Sequence, residues 1–325
     1  MREVAFIKQN KEKWLEFEQA IFSKAKKNPD DLASLYIQLV NDLAYAQSFY
    51  PKSKSVVYLN NLAAVIYQKI YKTKREEKNR LIHFFKTEVP LIAYQNRRYI
   101  LYAFLLFIIF TAIGVFSAAN DDSFVRLILG DAYVNETLQN IKEGNPVAIY
   151  KSSEGWSSAI GITLHNLQVS AVEFALGLLG GFGTAWALFE NSIMLGAFQY
   201  FFYNQDVFWA SVRGIWIHGA MEIFSLVICA ASGFIFGAGL LFPKTYSRIE
   251  SLKTGFKNGI KIWISTLPFL FFAGMLEGFV TRYSKEMPMV LNIFIILSTL
   301  SLISWYYLIY PFVVHYKMKK ALNSL

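Results

Sequence analysis

The chain holds one cysteine, Cys229, set inside an apolar stretch. That excludes a disulfide framework and a cysteine-ligated zinc module. Histidine is scarce as well, with four in 325 residues, and the doubled histidine of an HExxH protease helix is missing. No glycine run ends in Gly-Lys-Ser or Gly-Lys-Thr, so a phosphate-binding loop is excluded. The N-terminus is charged and amphipathic, with no short apolar core before a small-residue cleavage site, and no cleaved signal peptide is expected. No complete catalytic motif is left. Neither an enzyme nor a cofactor is expected.

Apolar residues, by contrast, are in excess. The chain is 54% hydrophobic and 17% aromatic, against roughly 45–50% apolar in soluble domains. Residues 1–98 are polar and charged, whereas several later stretches reach the roughly 20 apolar residues that cross a bilayer. The expected fold is all-α: a polytopic transmembrane helical bundle of about six spans over 99–325, behind an N-terminal cytoplasmic helical domain over 1–98.

In the N-terminal region, Trp14, Phe17 and Ile21 form one stripe; Leu35, Tyr36, Leu39 and Leu43 form a second; Leu59, Leu62, Val65 and Ile66 form a third. These spacings predict three helices. The run Lys72-Thr73-Lys74-Arg75 reads as a solvated basic end. The spans are expected near 99–119, 157–189, 191–205, 207–242, 260–280 and 290–314, with an external loop at 120–158. The second is longer than a bilayer needs, and glycines 177, 180, 181 and 183 offer a break or a close helix contact. Glu190 and Asn191 are expected at a turn between the second and third spans. Tyr200 to Tyr203 and Trp305 to Tyr307 are expected in interfacial belts.

The net charge of +9 raises nucleic acid as a partner, but its placement answers that question. Residues 1–98 carry 18 Lys and Arg against 10 Asp and Glu; 241–262 carry five against one; the tail adds Lys317, Lys319 and Lys320. Residues 120–158 carry three against six. Basic loops stay in the cytoplasm. This distribution predicts a membrane protein with both termini cytoplasmic and the lipid bilayer as a partner. Glycine-rich seams offer a route to a homo-oligomer.

The residues that need explaining are ionisable ones inside apolar helices. His218 and Glu222 are four apart, on one face of a helix. Arg213 falls at similar expected depth on the same span, and Asn166, Glu173 and Glu277 on others. Such groups neutralise one another only when they meet. Three uses compete: a packing network, a site for a small solute, ion or lipid headgroup, and a metal centre with His218 and Glu222 as candidate ligands.

Five stretches resemble the stage II sporulation protein M family of bacterial membrane proteins. They are Phe84 to Pro90 with Arg97-Arg98; His165-Asn166 with the glycine run to Thr184; Glu190-Asn191 with Leu195-Gly196; His218-Gly219-Ala220-Met221-Glu222; and Glu277 to Thr281. The resemblance implies a non-enzymatic scaffold in the bacterial cytoplasmic (inner) membrane, linked to cell-envelope or peptidoglycan remodelling, with other membrane or envelope proteins as partners. A transporter-like or lipid-handling protein with a cation or headgroup at the His/Glu cluster is the alternative, and an intramembrane metal-dependent hydrolase is a third reading.

Overall fold

The computed structural model describes residues 2–22, 29–71, 79–146 and 155–323. The basic run 72–75 and residues 147–154 of the acidic loop lie outside the described residues, as does the Ile21 side chain. Every regular element among the described residues is helical. The chain divides into two units, Met1–Arg80 and Leu81–Leu325.

The first unit contains helices α1 (Glu3–Phe22), α2 (Pro29–Phe49) and α3 (Lys54–Tyr71). Phe6, Trp14 and Phe17 of α1 close on Leu39, Leu43 and Ala46 of α2 and on Leu59, Leu62, Ala63 and Ile66 of α3. One polar anchor sits in this core: Trp14 Nε1 donates to Asp42 Oδ2 at 2.9 Å, and Lys13 pairs with the same oxygen at 2.5 Å.

The second unit begins earlier than residue 98. The short helix α4 (Arg80–His83), a π turn over Phe84–Glu88 and helix α5 (Val89–Gln95) precede the first span. Val89, Ile92 and Ala93 bury in the core of the bundle, so the unit boundary moves back to Arg80. A π turn leaves carbonyls without their usual helical donors. Tyr306 donates to the Phe85 carbonyl at 2.9 Å, Tyr310 to that of Lys86 at 3.1 Å, and Lys261 pairs with Glu88 at 2.5 Å.

The bundle consists of α6 (Arg97–Asn120), α9 (Gly155–Ala175), α10 (Phe182–Asn204), α11 (Phe208–Leu241), α12 (Arg248–Phe279) and the last span, α13 (Met289–Ser304) with α14 (Tyr310–Leu322). Between α6 and α9 lie α7 (Asp122–Leu129) and α8 (Asp131–Lys142), two short helices split at Gly130, whose φ is +83°. Helix α11 runs through the centre and is the most buried of the six. Among the described residues, five helices are long and apolar enough to span a bilayer; α10, with 23 residues, falls short in apolarity because of Thr184, Glu190, Asn191 and Gln199. It nonetheless lies along α6, where Gly196 meets the backbone of Thr111 to Val115.

Two expected boundaries are corrected. The chain reverses at Gly180 and Gly181, not at Glu190-Asn191: both glycines are left-handed (φ +67° and +86°), and α10 runs unbroken across residues 190 and 191. An L side chain at either position would be strained, so the glycines, not the polar pair, set the turn. The second span thus ends with the 3₁₀ turn Leu176–Leu179. Likewise most of the basic segment 241–262 is helical, because Ser247 caps α12 and accepts from the Glu250 amide at 3.3 Å. Pro311 explains the π turn at Trp305–Ile309, since its missing N–H frees the carbonyl one turn back. The expected aromatic belts are divided: Phe201 and Phe202 pack under α7 and Tyr307 is buried against Ser265 with a 2.7 Å hydrogen bond, whereas Tyr203 and Trp305 are exposed.

Close approaches hold the bundle. Gly177 abuts Gly233, Gly237 abuts the Gly180-Gly181 turn, and Gly239 abuts Gly255. These seams are filled by helices of the same chain.

Candidate functional site

Helices α9 and α10 leave the Gly180-Gly181 turn together and diverge toward the other end of the bundle. A cavity of about 550 Å³ opens between them, floored by α11 and bordered by Phe107 of α6 and by Ile128, Leu129 and Tyr133 of α7 and α8. A neighbouring hollow of about 730 Å³ continues along α9 and α10, and Ile128, His165, Asn191 and Met194 belong to both. The wall is mostly apolar: Ile162, Met194, Leu195, Phe198, Ile215 and Leu226.

The polar floor comes from three helices. The four-residue spacing on α11 puts His218 and Glu222 on the cavity side. Glu277, on the last turn of α12, meets them. His218 Nε2 stands 3.6 Å from Glu277 Oε2, and one ligand atom from each of His218, Glu222 and Glu277 lies within 4.8 Å of the others. His218 Nδ1 and Thr281 Oγ1 share a 2.9 Å hydrogen bond, which fixes the ring. Asn166 of α9 stands beside Glu222, but its Nδ2 is buried and closes no hydrogen bond. Among the described residues no lysine or arginine lines the cavity.

The structure therefore brings together Asn166, His218, Glu222 and Glu277 and separates the rest of the expected set. Glu173 lies deeper on α9, fully buried, with neither carboxyl oxygen hydrogen-bonded among the described residues. Arg213 reaches the backbone carbonyls of Ser284 and Met287, at 3.4 and 3.2 Å, and ties α11 to the connection after α12. Glu190 is exposed, whereas Asn191 lines the cavity. Glycine 219 of the His-Gly-x-x-Glu element also borders the cavity, and a methyl group there would meet nothing closer than 3.7 Å.

Sequence reasoning missed two contributors. Thr281 follows Glu277 by four residues, the spacing that aligns both on one helical face, so the signal was available. Tyr133 had none: its place at the cavity depends on how α8 folds back on the bundle.

The chain also matches known families. A family model described as stage II sporulation protein M matches residues 103–282, more than half of the chain. A second model, described only as a domain of unknown function, matches residues 4–72. No curated protein and no solved structure matches.

Proposed function

The chain belongs to the stage II sporulation protein M family, and from that premise we propose that it is a lipid-handling membrane protein with an amphiphile site in the α9–α10 cleft. The polar end of the ligand meets His218, Glu222 and Glu277, and the apolar part lies against Met194, Phe198 and Leu226. One observation carries this reading: ionisable side chains that cost several kcal/mol to keep in a bilayer face a cavity rather than a closed, mutually satisfied core. The cavity volume of about 550 Å³ falls within the roughly 300–1,000 Å³ of ligand sites. The positive-inside rule then directs the end with Arg97, Arg248 and the Lys317–Lys320 tail to the cytoplasm, within a bacterial inner membrane, and opens the cleft toward the outer side.

The test is mass spectrometry of lipids retained by the purified chain. One class of amphiphile should be held in stoichiometric amount and lost when Gly219→Trp fills the cavity, with the thermal midpoint preserved. The same retained lipids in both proteins would overturn the reading.

A second reading, a non-enzymatic scaffold for envelope-remodelling partners, is favoured by the separate three-helix unit with its own core and its own family match. Here the cluster only holds the bundle together. Alanine at His218 or Glu222 would then lower folded yield and recovery of crosslinked partners together, whereas the first reading predicts loss of the ligand alone.

A further inference from the structure

We propose that His218, Glu222 and Glu277 are the three protein ligands of a first-row divalent metal ion, Zn²⁺, Mn²⁺ or Fe²⁺, with the fourth side of the ion open to the cleft. The proposal rests on the reading of the cleft as a ligand site and names the cation at its floor.

Four observations converge. The first is the donor set: one imidazole nitrogen and two carboxylate oxygens, all within 4.8 Å of one another. Imidazole with carboxylates suits these ions, and no thiolate competes, since Cys229 is buried elsewhere against Thr266 at 3.3 Å.

The second is spacing. An ion bound at about 2.0–2.2 Å holds neighbouring ligand atoms about 3–4 Å apart, and His218 Nε2 and Glu277 Oε2 stand at 3.6 Å. That is long for a direct N–H to carboxylate hydrogen bond, whose usual length is about 2.7–2.9 Å. It suits two ligands of one ion.

The third is orientation. Histidine ligands commonly donate their other ring nitrogen to a fixed partner, which settles the tautomer. The 2.9 Å contact between Nδ1 and Thr281 Oγ1 is such a partner, and with Nδ1–H donating, Nε2 presents its lone pair to the two acids.

The fourth is the setting of Glu277. Glu277 is 8% exposed, and no hydrogen-bond donor closes on its carboxylate among the described residues. Among the described residues, no lysine or arginine lines the cavity there. Two carboxylates and a doubly charged ion are together neutral, which suits a low-dielectric setting. On the cavity side, Asn166 stands beside Glu222 in the same lining. Three protein ligands and an accessible fourth side are the pattern of reactive metal sites, whereas structural sites are closed by four.

The experiment uses the full chain in detergent with a tag that contains no histidine. It is stripped with chelator, loaded with Zn²⁺, Mn²⁺, Fe²⁺ or Co²⁺ alone, gel-filtered, and analysed for metal by elemental mass spectrometry. Co²⁺ also gives visible ligand-field bands that report a nitrogen and oxygen donor set. One ion per folded chain is expected, with affinity lowered at least tenfold in His218→Gln, Glu222→Gln and Glu277→Gln. Thr281→Val should weaken it by about 10–100-fold, since it removes only the ring's partner. Glu173→Gln, at a buried acid outside the cluster, should bind like the parent and shows that a folded variant is being compared. Failure of all four ions to bind above trace level overturns the proposal, as does retention of the ion in the variant lacking all three ligands. A retained amphiphile without metal would overturn this proposal and leave the lipid-handling reading standing. A bound ion with no retained amphiphile would do the reverse.

Discussion

Alanine at two glycines should shift stability in opposite directions. Gly177 sits where α9 ends, and a methyl group there would lie 2.9 Å from Gly233 Cα and 3.0 Å from its carbonyl carbon, and against its carbonyl oxygen. Ordinary carbon–carbon contact is about 3.5–4.0 Å, so α9 and α11 would have to separate by roughly 0.5–1 Å. Both sides of the contact are backbone of packed helices and cannot rotate away. Overpacking of this kind costs about 1–3 kcal/mol. The backbone entropy recovered on replacing glycine offsets about 0.5–1 kcal/mol. About 0.5–2 kcal/mol of destabilisation is left; for a body of this size each kcal/mol moves the midpoint by about 2–4 °C, so Gly177→Ala should melt about 1–8 °C lower. At Gly219 the added methyl meets only Ile215 and Ile223 side chains at 3.7 and 3.8 Å. Only the entropic gain applies there, and Gly219→Ala should melt about 1–4 °C higher. Midpoints come from intrinsic fluorescence and from size exclusion after heating, on full chains in the same detergent. A Gly177→Ala protein as stable as the parent would refute the close-packed seam. A Gly219→Ala protein destabilised like Gly177→Ala would refute the claim that the motif glycine faces open space.

Two further outcomes concern regions outside the spans. Trp14 is 4% exposed and bonded to Asp42; Trp14→Ala should cost about 3–5 kcal/mol, a large part of what an 80-residue unit possesses. Limited proteolysis should then cut within residues 1–80 while the bundle stays resistant, and an unchanged digestion pattern would contradict the shared three-helix core. Burial pushes the Tyr133 hydroxyl up to about 12 from an ordinary 10.0. Because the neutral phenol is the form the fold favours, this contribution is whole below pH 10 and is lost between pH 10 and 12. In alkaline absorbance titration, the parent minus Tyr133→Phe difference should show its phenolate step near pH 12; a step near 10 would place Tyr133 in water rather than against the bundle.

Helix type and membrane character were legible because they rest on composition and local period, which survive whatever the tertiary arrangement. The stripes of Leu39 and Leu43 and of Leu59, Leu62 and Ile66 needed no partner to be seen. Legibility failed where two local signals competed. At 180–191, a glycine pair and a polar pair both stood as markers of reversal, and hydropathy favoured the polar pair because Glu190 and Asn191 interrupt an apolar run. Backbone geometry decides the other way. A carboxylate and an amide can remain helical by reaching a groove or bonding their own backbone, as Asn191 Nδ2 does to the Ala187 carbonyl at 2.8 Å. Residues 180 and 181, both with positive φ, cannot be replaced by an L residue without strain.

That error bears directly on the site. With the reversal at 190, Asn191 caps a connection; with it at 180, α10 is a full-length helix that carries Asn191, Met194 and Phe198 into the cavity wall. The glycine pair fixes where α9 and α10 part, and Gly237 is pressed against that turn from α11. The floor of His218 and Glu222 and the hinge of the two walls are thus anchored on one helix, about four to five turns apart. A change that loosens the contact at Gly237 should alter the cleft before it touches a ligand-bearing residue. Gly237→Ala is therefore expected to weaken retention of an amphiphile while leaving the donor set of His218, Glu222 and Glu277 intact, and equal loss of metal and amphiphile in that variant would show that floor and walls are not separable.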